Sequence, residues 1–397
     1  MKLKNKGRKI YKTKEKNYYG KSPVGKFLSG ALTVLLIGGI GFLGYSIAEP
    51  IVNYTKKRGD NDTVISESDT QPNTEASEMA TAAVITIPEN NNIQVYKAAS
   101  LKASDLENIE KLNGALQNIN KNVGYEYISV PLKVSGGDIC YASAVPEAQL
   151  CGAVKYSLTL SEITSAVRAA GFKPIAEVSL LRDNIAPLTY PDMAYTTSDD
   201  GSRWIDNSAE SGGKHWISPF TDKAVTYLTN IIDEIAAADF DGAMCSDVVF
   251  PPFRESDLAV LGEEVSGEEN YLALTSLVNT MYSRLLNGGK IMMLEVSGVD
   301  LLQENYDVMQ PMLLDVNTVV LNVDLDAMGN SVSAGGTVYE FAGTASENVS
   351  KLIGLVQYKL EGYNVVVRIS GGNTDVNELI KAKDVINDYG YTSFMIG

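Results

Sequence analysis

One histidine, three cysteines and two tryptophans in 397 residues narrow the chemistry before any motif is read. A single imidazole, His215, cannot furnish a histidine-rich metal site, and a Ser-His-Asp hydrolase would have to rest on that one base. Cys140, Cys151 and Cys245 are too few for a disulfide scaffold. Cys140 and Cys151 could close one small loop in an oxidising compartment, and otherwise the three are expected as small packing residues. Basic residues are scarce over most of the chain. Ten of the 33 Lys and Arg lie in residues 1–26 beside one acid, Glu15, which leaves 23 bases against 48 acids afterwards, a net charge of −25. Such a surface repels nucleic acid and anionic headgroups, so no nucleic-acid partner is expected. The run DLDAMGN from Asp324 looks partly like a calcium loop but lacks the later ligands, so neither metal nor cofactor is expected.

Charge is missing altogether from FLSGALTVLLIGGIGFLGYSI, residues 27–47, which opens on Phe27 and closes on Ile47. Twenty-one residues at helical rise cross a hydrocarbon core of about 30 Å. The basic tail before the run places the N-terminus in the cytoplasm and the rest of the chain outside. Ser46-Ile47-Ala48 loosely fits a signal-peptide cleavage site, but both the basic region and the apolar run exceed usual signal-peptide lengths, which favours an uncleaved anchor. Beyond it, Ser, Thr, Asp, Glu, Asn and Ala dominate up to residue 92 with almost no aromatics, a composition unable to offset chain ordering. The expected organisation is a cytoplasmic tail (1–26), a transmembrane anchor (27–48), a flexible linker (49–92) and one folded domain (93–397).

In that domain, short β-branched runs alternate with helical patterns. The expected strands are IQVYKA from Ile93, YEYISV from Tyr125, KPIAEVSL from Lys173, GAMCSDVV from Gly242, KIMMLEV from Lys290, TVVLNV from Thr318, NVVVRI from Asn364 and YTSFMI from Tyr391. Helix starts are expected at Ser104, at Ser161 and Glu162, at Thr221 or Asp222, and at Ser346. Eight strands with intervening helices point to an α/β fold, a (β/α)8 TIM-type barrel, although no helix follows the eighth strand.

One connection, Asp183 to Phe220, is expected as a structureless loop near forty residues, a length that is usually functional. It carries both tryptophans, Trp204 and Trp216, with Tyr190, Tyr195, Arg203 and His215. Flat aromatics beside polar groups suit a sugar ring, which stacks its C–H face and hydrogen-bonds its hydroxyls. The alternative is that the tryptophans are the loop's own core. Carboxylates recur at expected strand ends: Asp183, Asp247, Glu295, Asp324 and Asp326. Glycoside hydrolysis needs two such groups, one to protonate the leaving oxygen and one to act as nucleophile or base. Glu177 and Arg368 fall within strands and would pair inside the barrel if both point inward.

The segments KPIAEVSLLRDN, YPDMAYTTSDDGSRW, HWISPFTDKAV and AADFDGAMCSDVVFPPF, in this order, resemble a family of bacterial glycoside hydrolases with an α-amylase-like TIM barrel. YASAVPEAQLCGAV and MMLEVSG match more loosely. The resemblance implies a barrel, a carbohydrate substrate such as a polysaccharide or cell-wall glycan, and catalysis by strand-end acids. Family members typically read FDYVRFP where this chain has CSDVVFP, which puts Ser246 in place of an Asp, Asp247 in place of the Tyr and Val249 in place of the Arg. Ser129 replaces another Asp, while Glu295 matches one. Because side chains alternate along a strand, Asp247 substitutes for an acid one residue earlier only if a bulge reorients it. On this reading Asp247, Glu295 and Asp183 are the catalytic candidates, and Arg182, Trp204, Trp216 and Tyr190 hold substrate. The alternative is a carbohydrate-binding or cell-wall scaffold protein that kept the barrel and lost the acids.

Overall fold

The structure, a computed structural model, describes residues 94–304 and 313–397. The tail, anchor and linker expected at 1–92 lie outside the described residues. Among the described residues no helix is long and apolar enough to cross a membrane.

Eight parallel strands form a closed barrel: β1 (Lys97–Ser100), β2 (Tyr127–Lys133), β3 (Lys173–Ser179), β4 (Gly242–Ser246), β5 (Ile291–Ser297), β6 (Thr318–Asp324), β9 (Asn364–Ser370) and β10 (Ser393–Ile396). Each matches an expected run, the first displaced from 93–98 to 97–100. β10 closes the barrel directly onto β1, pairing Phe394 with Lys97 and Ile396 with Ala99. Strand pairing alone satisfies both edges, so closure needs no helix after the eighth strand.

The sequence reading missed one pair, the antiparallel hairpin β7 (Ser331–Ala334) and β8 (Thr337–Glu340) between β6 and β9. Its two-residue turn, Gly335-Gly336, takes positive φ at both positions, +56° and +77°, as turns matched to strand twist require.

Helices cover the outside: α1 (Ile109–Asn118), α2 (Leu160–Ala169), α3 (Asp222–Ala237), α4 (Tyr271–Asn287), α5 (Gly298–Gln303), α6 (Ala345–Val356) and α7 (Val376–Ala382). Their starts lie close to the expected ones; Thr221 caps α3 as expected, while two other caps differ. Thr159 and Thr344 close capping boxes with Glu162 and Glu347, rather than Ser161 and Ser346. α1 begins after Asn108, because Ala103–Leu106 forms a separate 3-10 turn. All three cysteines are free, Cys140 and Cys245 fully within the core, which supports their packing role.

The barrel interior is layered. Ile175, Met244, Met293, Val320, Val366 and Met395 form an apolar lower layer. Two residues further along, on the same face of each strand, stand Glu177, Ser246, Glu295, Asn322, Arg368 and Gly397. The alternation therefore gives a sealed floor and a polar mouth at the C-terminal ends of the strands, where barrel chemistry is built.

Candidate active site

Arg368 is the hub of the polar layer. Its Nη1 donates to Glu177 Oε1 at 2.8 Å and to Glu295 Oε2 at 2.6 Å, the inward pairing of Glu177 and Arg368 that the strand alternation predicts. Asn322 Nδ2 donates to Glu295 Oε1 at 3.3 Å, and Ser129 Oγ to Glu177 Oε2 at 3.0 Å. One cation between two carboxylates leaves an excess negative charge. Burial pushes the Glu295 carboxyl up; Arg368 opposes this, and Glu177 and Asp247 add to it. Burial disfavours charge on Arg368 too, but the two carboxylates overcome it and hold the guanidinium charged.

Asp247 reaches the mouth by a local backbone device. β4 ends at Ser246, and Asp247 takes φ +54°, one of two non-glycine residues with positive φ among the described residues. Asp tolerates this region better than most residues, and such conformations cost about 1–3 kcal/mol where the surroundings enforce them. Here they do. Leu181 N donates to Asp247 O at 3.3 Å, Ser179 Oγ donates to Asp247 Oδ2 at 2.5 Å, and Arg182 Nε stands 3.8 Å from Oδ1. A left-handed residue just past the strand, in place of the expected bulge, thus brings the Asp247 side chain into the mouth. Ser246 occupies the inward strand position itself, in register with Ser179.

The mouth, a cavity of about 360 Å3, and an adjoining side pocket of about 280 Å3 share Arg182, Asp247, Glu295, Asn322 and Asp324. A larger cavity of about 770 Å3, bordered by Asn330, Phe341, Ser346 and Glu378, contains neither Asp247 nor Glu295. Three expected residues, Arg182, Asp247 and Glu295, therefore meet in one cleft, and four do not join them. Asp183 is fully buried: its Oδ2 pairs with Lys133 Nζ at 3.0 Å while Oδ1 accepts from the backbone of Ile185 and Ala186. Tyr190 lies under Lys223, whose Nζ is 4.5 Å from the ring centre.

Trp204 and Trp216, expected as a sugar platform, are only 6% and 4% exposed. The loop that carries them is not structureless. Short bridges, Ala194 to Ile217 and Thr196 to Arg203, fold it into a flap. Its core joins both tryptophans to Tyr195, Leu261 and Val265. Burying these rings offsets the ordering of so long a connection. Trp216 still serves the cleft indirectly, since the Arg182 guanidinium lies 5.0 Å from its ring centre.

Sequence reasoning missed Lys133, Asn322 and Asp300. Asn322 had a signal: it lies two residues before Asp324 on one strand and so shares its face. Lys133 had none, because its partner becomes a neighbour only on folding.

The family described as "Putative glycosyl hydrolase domain" matches residues 99–320, more than half the chain. The chain belongs to this family. Comparison with curated proteins gives no match. Among solved structures, this glycosyl hydrolase domain is similar to the glycoside hydrolase domain of PgaB (BpsB) from Bordetella bronchiseptica, at TM-score 0.53 and 12% identity, over 77% of this chain and 94% of that one. A hypothetical protein from Ruminiclostridium thermocellum shares 18% identity at TM-score 0.41, over 49% of this chain and 96% of that one. The chitobiase of Flavobacterium johnsoniae shares 13% at TM-score 0.46, over 69% and 38%. At such identities the PgaB likeness establishes the barrel alone. Within this glycosyl hydrolase domain the functional argument rests on the cleft itself.

Proposed function

We propose that this domain hydrolyses a glycosidic bond in an extracytoplasmic glycan, with Glu295 as the acid and Asp247 as the nucleophile or base. The observation that carries the reading is the left-handed turn at Asp247, which presents a second carboxylate to the cleft that Glu295 lines. Glu295 is held toward its protonated form by burial and by its acidic neighbours. It therefore suits proton donation to the leaving oxygen. As the bond to the sugar breaks, positive charge develops at the anomeric carbon; Asp247 either attacks that carbon or takes a proton from the attacking water. Arg182, half-exposed between Asp247 and Trp216, is placed to bind a sugar hydroxyl.

With Glu295 and Asp300 held toward their neutral forms, Glu177, Asp247 and Asp324 still offset Arg182 and Arg368, so the cleft offers no excess of positive charge. A polyanionic glycan is disfavoured on that ground, and neutral wall or surface polysaccharides are the better substrates. The basic tail and the charge-free run at 27–47 support a membrane anchor with the barrel outside.

A second reading has its own support. Ser246 stands at the inward position where the family motif carries Asp, and Arg368 occupies one oxygen of Glu295. On that view the domain binds glycan without cutting it. The purified domain is to be assayed against a panel of bacterial wall and capsular glycans beside Asp247→Asn, Glu295→Gln and Ser246→Asp. Hydrolysis by the parent, lost by 10²-fold or more in either of the first two variants with binding intact, supports the enzyme. Binding without turnover in the parent, with turnover gained by Ser246→Asp, supports the binding protein.

A further inference from the structure

Beside Asp247 and Glu295 the cleft opens into the side pocket of about 280 Å3, and its walls differ from those of the mouth. The mouth is lined by charged and hydroxyl groups such as Glu177, Ser179 and Arg368. To the polar groups it shares with the mouth, Arg182, Asp247, Glu295, Asn322 and Asp324, the side pocket adds Ser297 and Asp300 and an apolar patch of Val248, Val249, Val296 and Val299. These valines come from two strand ends: Val248 and Val249 follow β4, and Val296 and Val299 span the junction of β5 with α5. Val249 and Val299 are only partly buried, so apolar surface meets water inside the cleft. Val249 also packs against the core of the flap, which fixes the shape of this wall.

A sugar bearing only hydroxyls leaves such a surface unmatched. A short acyl group matches it. Its methyl lies against the valines, and its carbonyl oxygen accepts from the Arg182 guanidinium or from a protonated Asp300. Burial pushes the Asp300 carboxyl up against the lowering pull of Arg182, which favours that donor role. The volume falls just under the ~300–1,000 Å3 of pockets for drug-sized ligands, so it holds a substituent and a ring edge rather than a further sugar. Resting on the hydrolase reading, we infer that this pocket selects a sugar carrying a short acyl group, acetamido or O-acetyl, at the position bound across Asp247 and Glu295.

The probes are matched pairs: N-acetylated amino-sugar oligomers with their N-deacetylated forms, and an O-acetylated neutral polysaccharide with its saponified form. The acylated member should show a kcat/KM at least tenfold higher in one pair, since even one methylene in an apolar pocket discriminates by about 10–200-fold. The acid-rich cleft attracts the amine of a deacetylated sugar, so electrostatics oppose that outcome in the first pair; the second pair is free of the effect. Val299→Asn and Val249→Thr should each bring the ratio toward one, with an unchanged melting temperature establishing that the fold is kept. Binding to the Glu295→Gln protein should give the same ratio without turnover. A preference in only one pair supports the inference and identifies the linkage. Equal use of both members, or preference for the deacylated one, overturns the inference and leaves the hydrolase reading standing. If no member of either pair nor any glycan of the wider panel binds or is cut, the hydrolase reading fails and this inference with it.

Discussion

The Lys133–Asp183 pair shows how a single residue is reassigned by its neighbours. Both side chains are fully buried, and Lys133 Nζ also donates to Ser179 O at 2.9 Å. The Ser179 hydroxyl in turn holds Asp247. Removing one charge strands the other in the interior, so Asp183→Asn should lose about 3–5 kcal/mol in denaturant unfolding. A double variant, Lys133→Met with Asp183→Leu, should recover much of that loss, because replacing a buried pair by apolar groups of similar volume is far less costly than breaking it. Glu295 supplies a prediction in pH. Its carboxyl titrates above the usual carboxylate range, so the folded state holds that proton more tightly than the unfolded chain. The resulting stability is present below the unfolded pKa and lost as pH rises through the elevated folded one. Glu295→Gln should remove this component from a plot of unfolding free energy against pH. In the same sense, Asp247→Asn removes a raising influence, so the alkaline limb of any residual pH–rate profile should move to lower pH.

At the scale of elements, the strands were readable and the long loop was not. Most barrel strands are short, nearly continuous apolar runs rich in Val and Ile, such as β6 and β9, a local property of strands buried on both faces; β1 and β4 lack β-branched residues and stand out by their place between helical stretches. The helix starts lie within a few residues of the expected ones because several Ser, Thr and Asn in each stretch can cap, and the backbone geometry chooses among them. The 183–220 flap looked like a loop because its apolar residues follow no period. They assemble with Leu261 and Val265, some fifty residues away. If the flap is a folded unit, Trp204→Ala should cost about 3–5 kcal/mol and lower the melting temperature, as large aromatic truncations in a core do. Trp216→Ala should do the same and also free Arg182, weakening glycan binding. Unchanged melting with lost binding would return the tryptophans to an exposed sugar platform.

At the scale of the whole molecule, the charge distribution carries the strongest sequence-level statement: a basic head, an uncharged run and an acidic remainder. The proposed topology predicts that protease added outside intact cells cuts within residues 49–92 and releases a folded fragment of about residues 93–397. Digestion of the N-terminal tail instead, with the barrel protected, would mean the reverse orientation.

By itself the sequence pointed to eight strands with intervening helices, and so to a barrel, and put carboxylates at the strand ends, because each of these is read within a few residues of chain. Glu295 and Arg182 line the cleft, since a residue at or just past a strand end inherits its position from that strand. Only the tertiary structure decided which way Asp247 faces, where Asp183 goes and whether the tryptophans are exposed. Each depends on contacts across tens of residues: the grip of Ser179 on Asp247, the charge of Lys133 beside Asp183, and the closing of Val265 and Leu261 over the flap. A side chain's rotamer and burial are set by the atoms around it, and those atoms assemble only when the strands that carry them have closed into the barrel.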